Sequence, residues 1–294
     1  MVRKGLVLVD ITALGAAVQF SLANHGVAIL PPMDVIDSLA VVKALGFTPQ
    51  VTMLDPWYNK GVGGVRDDYQ AFILSLLRAS AEISDHVFLW GFPEIIAPLV
   101  DKIPPSLSLV AWLTWFYKNN PSVIRGWRSS QNACLHLARP EARLYPENFL
   151  NDAQRALQMQ GKLRYMPGPT SVIEAPLLVG FVGKNERTGH PAQKPIYVFE
   201  QLYLMATAAG DLIFDPMCGS GTTGEAARRL NRLAIISDHS EEYIQMCEAR
   251  LGFRRVLAQP GDGVTQLDRD VSDQADALAP LQLKLLSSAD HERD

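Results

Sequence analysis

Short apolar runs alternate along this chain with segments of helical periodicity, and that alternation restricts the fold more than any other feature. Six runs of four or five residues have the character of buried strands, at 51–54, 86–90, 109–113, 133–137, 211–214 and 233–236. Hydrophobic residues recur at helical spacing in five segments, at 67–80, 94–102, 196–209, 222–230 and 241–251. Alternating strands and helices build mostly parallel sheets that are covered on both faces. The sequence therefore predicts an α/β fold with a doubly wound, mostly parallel sheet.

Two segments break the alternation. Residues 141–189 contain prolines at 146, 167, 169 and 176 and show no clear period, so we interpret them as an insertion carried on the sheet. From 256 to 294 the sequence turns to Asp, Gln, Ser and short Leu patches, which predicts a mobile tail. Residues 1–255 are expected to form one domain.

The composition narrows the class of protein. The chain is 48% hydrophobic and 20% charged, which is the balance of a soluble globular protein. It has no run of 18 or more apolar residues, and the apolar part of its N-terminus is too short for a secretory signal. We therefore expect a cytoplasmic protein with no membrane partner. The cysteines at 134, 218 and 247 have neither disulfide-framework nor metal-ligand spacing, so no metal is expected.

The charges are distributed unevenly. Although the net charge of the chain is −4, residues 118–194 contain eleven Lys or Arg against five acids, a surplus of six positive charges. The rest of the chain carries a surplus of ten negative charges. A basic middle region in an acidic body suits a protein that binds phosphates on one face. Solvated surface charges explain the pattern equally well.

The junction between the last two strands has the features of a nucleoside-binding unit. A strand ends at Asp215, a glycine-bearing loop follows, and a helix opens at about Thr222. Gly219 and Gly221 would let the backbone pass close to a ligand, and the free N–H groups of the helix start attract anionic or electron-rich groups. The next strand leads to Asp238, whose carboxylate could accept hydrogen bonds from ribose hydroxyls.

The same loop also satisfies the GxGxxG dinucleotide fingerprint, as Gly219-Ser-Gly221-Thr-Thr-Gly224. A lone match of this kind is weak. The acidic residue at 238 comes only 14 positions after Gly224, and Asp215-Pro216 precedes the loop, which both count against a nicotinamide enzyme. A nicotinamide-dependent oxidoreductase and a plain tight turn remain alternatives at this point.

Three motifs taken together resemble those of amino-methylating DNA methyltransferases. DPMCGSGTT at 215–223 resembles their S-adenosylmethionine loop, and HPAQKP at 190–195 is similar to their HPTQKP element. DPWY at 55–58 resembles their catalytic (D/N/S)-P-P-(Y/F/W) tetrapeptide, with Trp57 in place of the second proline. The tetrapeptide precedes the cofactor loop, which matches the permuted order of the β class, whose members methylate adenine N6 or cytosine N4. The resemblance covers about residues 30–252.

The resemblance implies a Rossmann-like, S-adenosylmethionine-dependent enzyme of DNA methylation, including restriction-modification, that acts on a flipped-out base of double-stranded DNA. The exocyclic amine of the base is a poor nucleophile because its lone pair is delocalised into the ring. The Asp55 carboxylate and the Pro56 carbonyl would accept its two hydrogens and aim the lone pair at the methyl group. Tyr58 would stack on the base, a contact worth about 1–3 kcal/mol. Aspartate at the first position favours adenine N6, with cytosine N4 as the alternative.

The resemblance also assigns the cofactor residues. Asp215 would hold the methionine amino group and Asp238 the ribose, and the loop between them supplies the remaining members: Met217, Gly219, Gly221 and Thr222. Thr222 and Thr223 either bond the cofactor's carboxylate or cap the helix. Met217 replaces the more frequent phenylalanine, and Ser130-Gln-Asn132 stands where many relatives have Asn/Ser-x-His-Glu. These two departures leave the base preference open.

DNA contacts are expected near the tetrapeptide and in the basic middle region, from Trp57, Asn59, Lys60, Arg125, Arg128, Arg164 and Lys194. Trp57 either lines the base pocket or packs beneath its loop, and packing is the preferred interpretation. Lys194 contacts phosphate or cofactor, or is simply solvated. By the resemblance, the segment at 141–189 corresponds to the target-recognition region of relatives, and its small size suggests a homodimer or help from a partner. A catalytically silent DNA-binding relative is a further alternative.

Overall fold

The computed structural model describes residues 11–59, 64–120 and 126–256. The predictions for Lys60, Arg125 and the tail fall outside these ranges. Within them one sheet has eight strands: β1 Val27–Ile29, β2 Val51–Leu54, β3 His86–Gly91, β4 Ser108–Phe116, β5 Gln131–Ala138, β6 Val172–Glu174, β7 Leu212–Asp215 and β8 Leu233–Ile236. The helices are α1 Ile11–His25, α2 Val35–Ala44, α3 Tyr69–Ile83, α4 Pro93–Ile96, α5 Asp152–Met159, α6 Ile196–Ala206, α7 Thr222–Arg229 and α8 Glu241–Leu251.

The sheet separates two hydrophobic cores. Its strands lie in the order β1-β8-β7-β2-β3-β5-β4-β6, and every neighbouring pair is parallel except the two that include β5. Residues of α1, α2 and α3 pack on one face, and residues of α6, α7 and α8 pack on the other. In β3, Val87 and Leu89 point to the first core, whereas Phe88 and Trp90 point to the second. The predicted doubly wound, mostly parallel sheet is confirmed.

The six predicted strands all occur, but one predicted helix is shorter than expected. The α-helix predicted at 94–102 ends at Ile96 and continues as a 3₁₀-helix over Ala97–Lys102. Pro98 lies at the change, and a proline inside an α-helix removes one backbone donor and clashes with the preceding turn.

The N-terminal elements α1, β1 and α2 were not predicted. Apolar residues lie all around α1, so its sequence shows no clear amphipathic stripe, and β1 is only three residues long. A usable signal existed for α2, because Asp34 accepts a hydrogen bond from the Ile36 amide at 2.9 Å, as a helix N-cap does.

The segment interpreted as an insertion is partly built into the sheet. It contains α5, which begins with a capping box at Asn151 and Gln154. It also contains β6, which pairs in parallel with β4 at the edge of the sheet. The segment therefore extends the sheet, which corrects the expectation that it is only carried on it.

The sheet has a topological switch point between β7 and β2. These strands are neighbours, but the chain passes from β2 towards β3 on one side and from β7 towards β8 on the other. Open α/β sheets bind ligands in the crevice outside the carboxyl ends of the strands at such a point. No helix among the described residues is long and apolar enough to cross a bilayer.

Candidate active site

The switch point brings the tetrapeptide and the glycine loop together. Asp55 and Pro56 directly follow β2, and Asp215 is the last residue of β7. The two strands pair in register, with Val51 opposite Ile213. Two motifs separated by about 160 positions therefore leave the same edge of the sheet side by side.

The Asp55 carboxylate is bound by a buried lysine. Lys194 Nζ lies 2.5 Å from each of its oxygens, and the exposed fraction of the side chain is 4% for Lys194 and 20% for Asp55. The hydroxyl of Tyr58 donates to the same carboxylate at 3.3 Å. Lys194 is thus buried in an ion pair, which rules out the alternative of a solvated lysine.

Aromatic rings enclose this ion pair. The Lys194 ammonium lies 5.0 Å from the centre of the Trp90 ring and 5.4 Å from that of Tyr58, within the range of cation–π attraction. The Tyr58 ring meets the Phe92 ring edge to face, with centroids 4.7 Å apart. Burial, followed by the charge of Asp55, raises the pKa of Tyr58, so the phenol stays neutral and can donate. Trp90 and Phe92 were not predicted as site residues. Their sequence signal is a pair of aromatic residues on either side of Gly91, where β3 ends.

Trp57 packs beneath the tetrapeptide. Its ring contacts Tyr69 and Phe72 of α3, at centroid distances of 5.4 and 5.6 Å. The Tyr69 hydroxyl donates to the Trp57 carbonyl at 2.5 Å. This placement agrees with the preferred packing interpretation and anchors the loop to α3.

The Asn59 side chain closes the loop that follows. Asn59 has a positive φ of 54°, and its amide accepts from the Arg66 backbone at 2.6 Å and donates to the Arg66 carbonyl at 3.2 Å. Both ends of the amide are therefore engaged within the chain. The expected contact of Asn59 with a nucleotide stays a prediction.

Asp215 is buried and internally bonded. Its exposed fraction is 2%. It accepts from the Met217 amide at 3.0 Å and from the Thr223 hydroxyl at 2.5 Å, and Thr223 in turn lies 2.9 Å from the Tyr203 hydroxyl. Burial raises the pKa of Asp215 to about 7, and the two hydrogen bonds oppose that rise. The Thr223 hydroxyl therefore binds a protein carboxylate, which is neither of the two roles weighed for it, and a contact with the cofactor stays a prediction.

The two loop glycines are required by packing within the protein. Gly219 and Gly221 have positive φ values of 47° and 72°. A Cβ on Gly219 would lie 2.9 Å from His190 Nε2, and one on Gly221 would lie 3.0 Å from Cys247 Sγ. The glycines thus let the loop lie against the HPAQKP segment and α8, which adds a structural reason to the one expected from a ligand.

Asp238 connects β8 to the same loop. Its carboxylate accepts from the Gly219 amide at 3.0 Å and from the Ser240 amide at 2.9 Å. The predicted ribose acceptor therefore also fixes the loop on which a cofactor would lie.

Thr222 joins the loop to the lysine. Its hydroxyl donates to the Lys194 carbonyl at 3.3 Å, lies 2.9 Å from the Ser220 hydroxyl and accepts from Arg250 Nη1 at 3.1 Å. Arg250 Nη1 also donates to the Ser220 carbonyl at 3.0 Å. Arg250 was not predicted, and its only sequence signal is a basic residue in the last turn of α8.

The other predicted DNA contacts lie on the surface. Arg128 and Arg164 are exposed, and Arg128 donates to the Asn120 carbonyl at 3.4 Å.

Asn132 is buried at the start of β5, and its Oδ1 has no hydrogen-bond partner among the described residues. Because Ala133 pairs with Gly91 of β3, Asn132 lies at the same end of the sheet as Phe92.

Comparison with known proteins finds DNA methyltransferases. The chain is 31% identical over 146 residues to the Type II methyltransferase M.HpaI of Haemophilus parainfluenzae, covering 48% of this chain and 44% of that one. It is 48% identical over 62 residues to the Type II methyltransferase M2.DpnII of Streptococcus pneumoniae, covering 21% and 23%. The chain thus spans less than half the length of these curated relatives.

A solved structure shares the fold. The crystal structure of the M1.HpyAVI-SAM complex matches with a TM-score of 0.60 at 20% identity, over 77% of this chain and 100% of that chain. The family model described as DNA methylase, N6_N4_Mtase, matches residues 99–249, which is just over half of the chain. This chain therefore belongs to the N6_N4_Mtase family of DNA methylases.

Proposed function

We propose that the protein transfers a methyl group from S-adenosylmethionine to the exocyclic amine of a flipped-out base in double-stranded DNA, with adenine N6 the favoured target. The observation that carries the proposal is the meeting of the Asp55 tetrapeptide and the 215–223 loop at the switch point of the sheet. Membership of the DNA methylase family supports it and argues against a nicotinamide-dependent oxidoreductase.

The tetrapeptide supplies the groups that such a transfer needs. The Asp55 carboxylate and the Pro56 carbonyl accept the two amine hydrogens, so the nitrogen lone pair turns out of the ring towards the methyl donor. In the transfer the amine nitrogen would take the methyl group as its bond to the donor sulfur breaks, and the surplus amine proton would pass to solvent. Tyr58, steadied by Phe92, offers a ring face on which an unpaired base can stack.

The loop residues fit S-adenosylmethionine. Asp215 accepts two hydrogen bonds from protein groups, and Asp238 accepts two from backbone amides and has His239 Nδ1 3.2 Å from its Oδ1. A carboxylate has about four acceptor positions. Capacity therefore remains for an ammonium group at Asp215 and for ribose hydroxyls at Asp238. When bound, S-adenosylmethionine supplies an electrophilic methyl group on a sulfonium. Met217, Gly219, Gly221 and Thr222 complete this surface.

Three finer assignments belong to the same proposal. Asp55 favours adenine over cytosine because aspartate at the first tetrapeptide position goes with N6 methylation in this class. The description of M.HpaI and M2.DpnII as Type II methyltransferases supports site-specific modification by this chain as well. The small segment at 141–189 supports a homodimer as the active form, which light scattering of the purified protein measures directly, and a DNA substrate supports a cytoplasmic location.

Methylation of genomic DNA tests the proposal. The purified full chain is incubated with DNA from a methylation-deficient bacterium and methyl-labelled S-adenosylmethionine, and the digested nucleosides are measured by mass spectrometry. We expect label in N6-methyladenine and none with Asp55→Ala. Label in N4-methylcytosine would keep the mechanism and correct the base. Absence of label, with S-adenosylmethionine bound and duplex DNA retained, would identify a catalytically silent relative.

A further inference from the structure

We propose that Lys194 is a positioning residue, which orients the Asp55 carboxylate and shares it with the amine of the flipped base. This inference rests on the proposed function. It assigns to Lys194 a contact with the catalytic carboxylate, in place of the contact with phosphate or cofactor expected from the sequence.

The geometry of the pair is the first argument. The ammonium bridges both carboxylate oxygens at 2.5 Å, which fixes the plane in which the remaining lone pairs lie. Lys194 is almost fully buried and has the Trp90 and Tyr58 rings over its charge. An ammonium in such a place is retained only because its partner compensates the cost of removing it from water.

The surrounding charges give the second argument. Titratable groups from several parts of the fold interact electrostatically with Asp55. They are Tyr58 after β2, Tyr69 of α3, Cys134 of β5, His190 before α6, Tyr203 of α6 and Asp215 of β7. Burial lowers the pKa of His190, so this ring is neutral near pH 7. Within the described parts of the chain, Lys194 is therefore the side chain that brings positive charge to Asp55.

The backbone of Lys194 gives the third argument. Its carbonyl accepts the Thr222 hydroxyl, and Thr222 begins α7 directly after the glycine loop. The lysine is thus anchored on the cofactor side and reaches across to the base side. A carboxylate has about four acceptor positions, so Asp55 can keep the ammonium while it accepts one amine hydrogen.

Kinetics of matched lysine variants test the inference. Lys194→Met removes the charge at similar length, Lys194→Arg keeps it, and Lys43→Met removes a lysine from an exposed ion pair with Glu82 as the control. For each full-length variant we would measure kcat and KM for DNA from pH 5 to 9, the Kd for S-adenosylmethionine, and thermal unfolding.

We expect Lys194→Met to lower kcat about 100-fold, the size of effect seen when one preorganised electrostatic group is removed. The Kd for S-adenosylmethionine should change less than twofold. The pH of half-maximal activity on the acid side should rise, because loss of a neighbouring positive charge disfavours the ionised carboxylate. Lys194→Arg should keep the acid limb of the wild type, and Lys43→Met should match the wild type throughout.

A folded Lys194→Met variant with wild-type kcat and an unmoved acid limb would overturn the inference. If that variant does not fold, Lys194→Gln, which keeps one N–H donor without the charge, is judged by the same two criteria. A wild type that binds S-adenosylmethionine but methylates no DNA would instead overturn the proposed function. The two failures are therefore distinguishable.

Discussion

At the scale of single residues, the site depends on two carboxyl groups in opposite situations. Asp55 is partly exposed and paired with an ammonium, whereas Asp215 is buried and bonded only to neutral donors. Burial raises the pKa of Asp215 to about 7. Each situation gives a measurable consequence.

Replacement of Asp55 should affect stability as well as activity. Asp55→Ala leaves the Lys194 ammonium buried without its counter-charge, so we expect the free energy of unfolding to fall by about 2–4 kcal/mol, allowing for the partial exposure of the pair. The double variant Asp55→Ala with Lys194→Met removes both charges and should recover part of that loss. Urea denaturation measures both changes. Equal stability of the single and double variants would mean that the pair does not couple to folding.

The pKa of Asp215 predicts how cofactor affinity depends on pH. If Asp215 holds the cationic amino group, binding requires the ionised carboxyl, whose fraction rises with pH and levels off above about 7. Affinity for S-adenosylmethionine should therefore rise about tenfold per pH unit from pH 5.5 towards 7 and then level off. Calorimetric titration across this range measures it, with the neutral isostere Asp215→Asn as control. A pH-independent affinity of the wild type would exclude this role.

At the scale of elements, the glycine loop is shaped by its neighbours. Gly221→Ala places a Cβ 3.0 Å from Cys247 Sγ on a backbone with a φ of 72°. The matched control is Gly252→Ala, which has a φ of 83° and open space around the added Cβ. We expect both to lose about 1 kcal/mol from backbone strain, and Gly221→Ala about 1–2 kcal/mol more from overpacking. Thermal unfolding measures the stability of both variants. Equal losses of stability would show that the loop shifts away from α8 to accommodate the added Cβ at no further cost.

The sequence predicts the centre of the sheet better than its margins. Strands β2, β3, β7 and β8 are buried on both faces, so they appear as continuous apolar runs. By contrast β1 and β6 have three residues each and depend on pairing with a neighbour, which no local pattern encodes.

The same limit applies to the candidate site. Asp55, Tyr58 and Asp215 belong to short motifs that can be recognised in sequence. The ion pair of Lys194 with Asp55 joins positions 139 apart, and Arg250 reaches Thr222 from another helix. Such contacts are set by tertiary packing, so local spacing predicts the residue types but not their partners.

At the scale of the whole molecule, the basic middle region should act through its unpaired arginines. Lys118 and Arg143 lie in exposed ion pairs with Glu174 and Glu147, at 2.6 and 2.8 Å, whereas Arg128 donates only to a backbone carbonyl among its described contacts. We therefore expect Arg128→Ala to weaken DNA binding and to lower the slope of log affinity against log salt by about one. Lys118→Ala, which removes a lysine and leaves Glu174 without this ion-pair partner, is the comparison variant.

Fluorescence anisotropy of labelled duplex DNA between about 50 and 200 mM salt, the range in which phosphate contacts dominate the change, measures both slopes. An unchanged slope for Arg128→Ala would remove this arginine from the DNA-contacting surface. A larger effect for Lys118→Ala would mean that its ion pair with Glu174 opens when DNA binds.

The hydrogen bond from Thr222 to Lys194 physically connects the two halves of the crevice. A displacement at the start of α7 would move the Lys194 carbonyl, to which Thr222 is bonded. It would then move the Lys194 ammonium, which is bonded to Asp55. Linkage is reciprocal, so if one ligand changes the affinity for a second ligand by some factor, the second changes the affinity for the first by the same factor. If the proposed function holds, the affinities for S-adenosylmethionine and for the flipped base would change together, by the same factor in both directions.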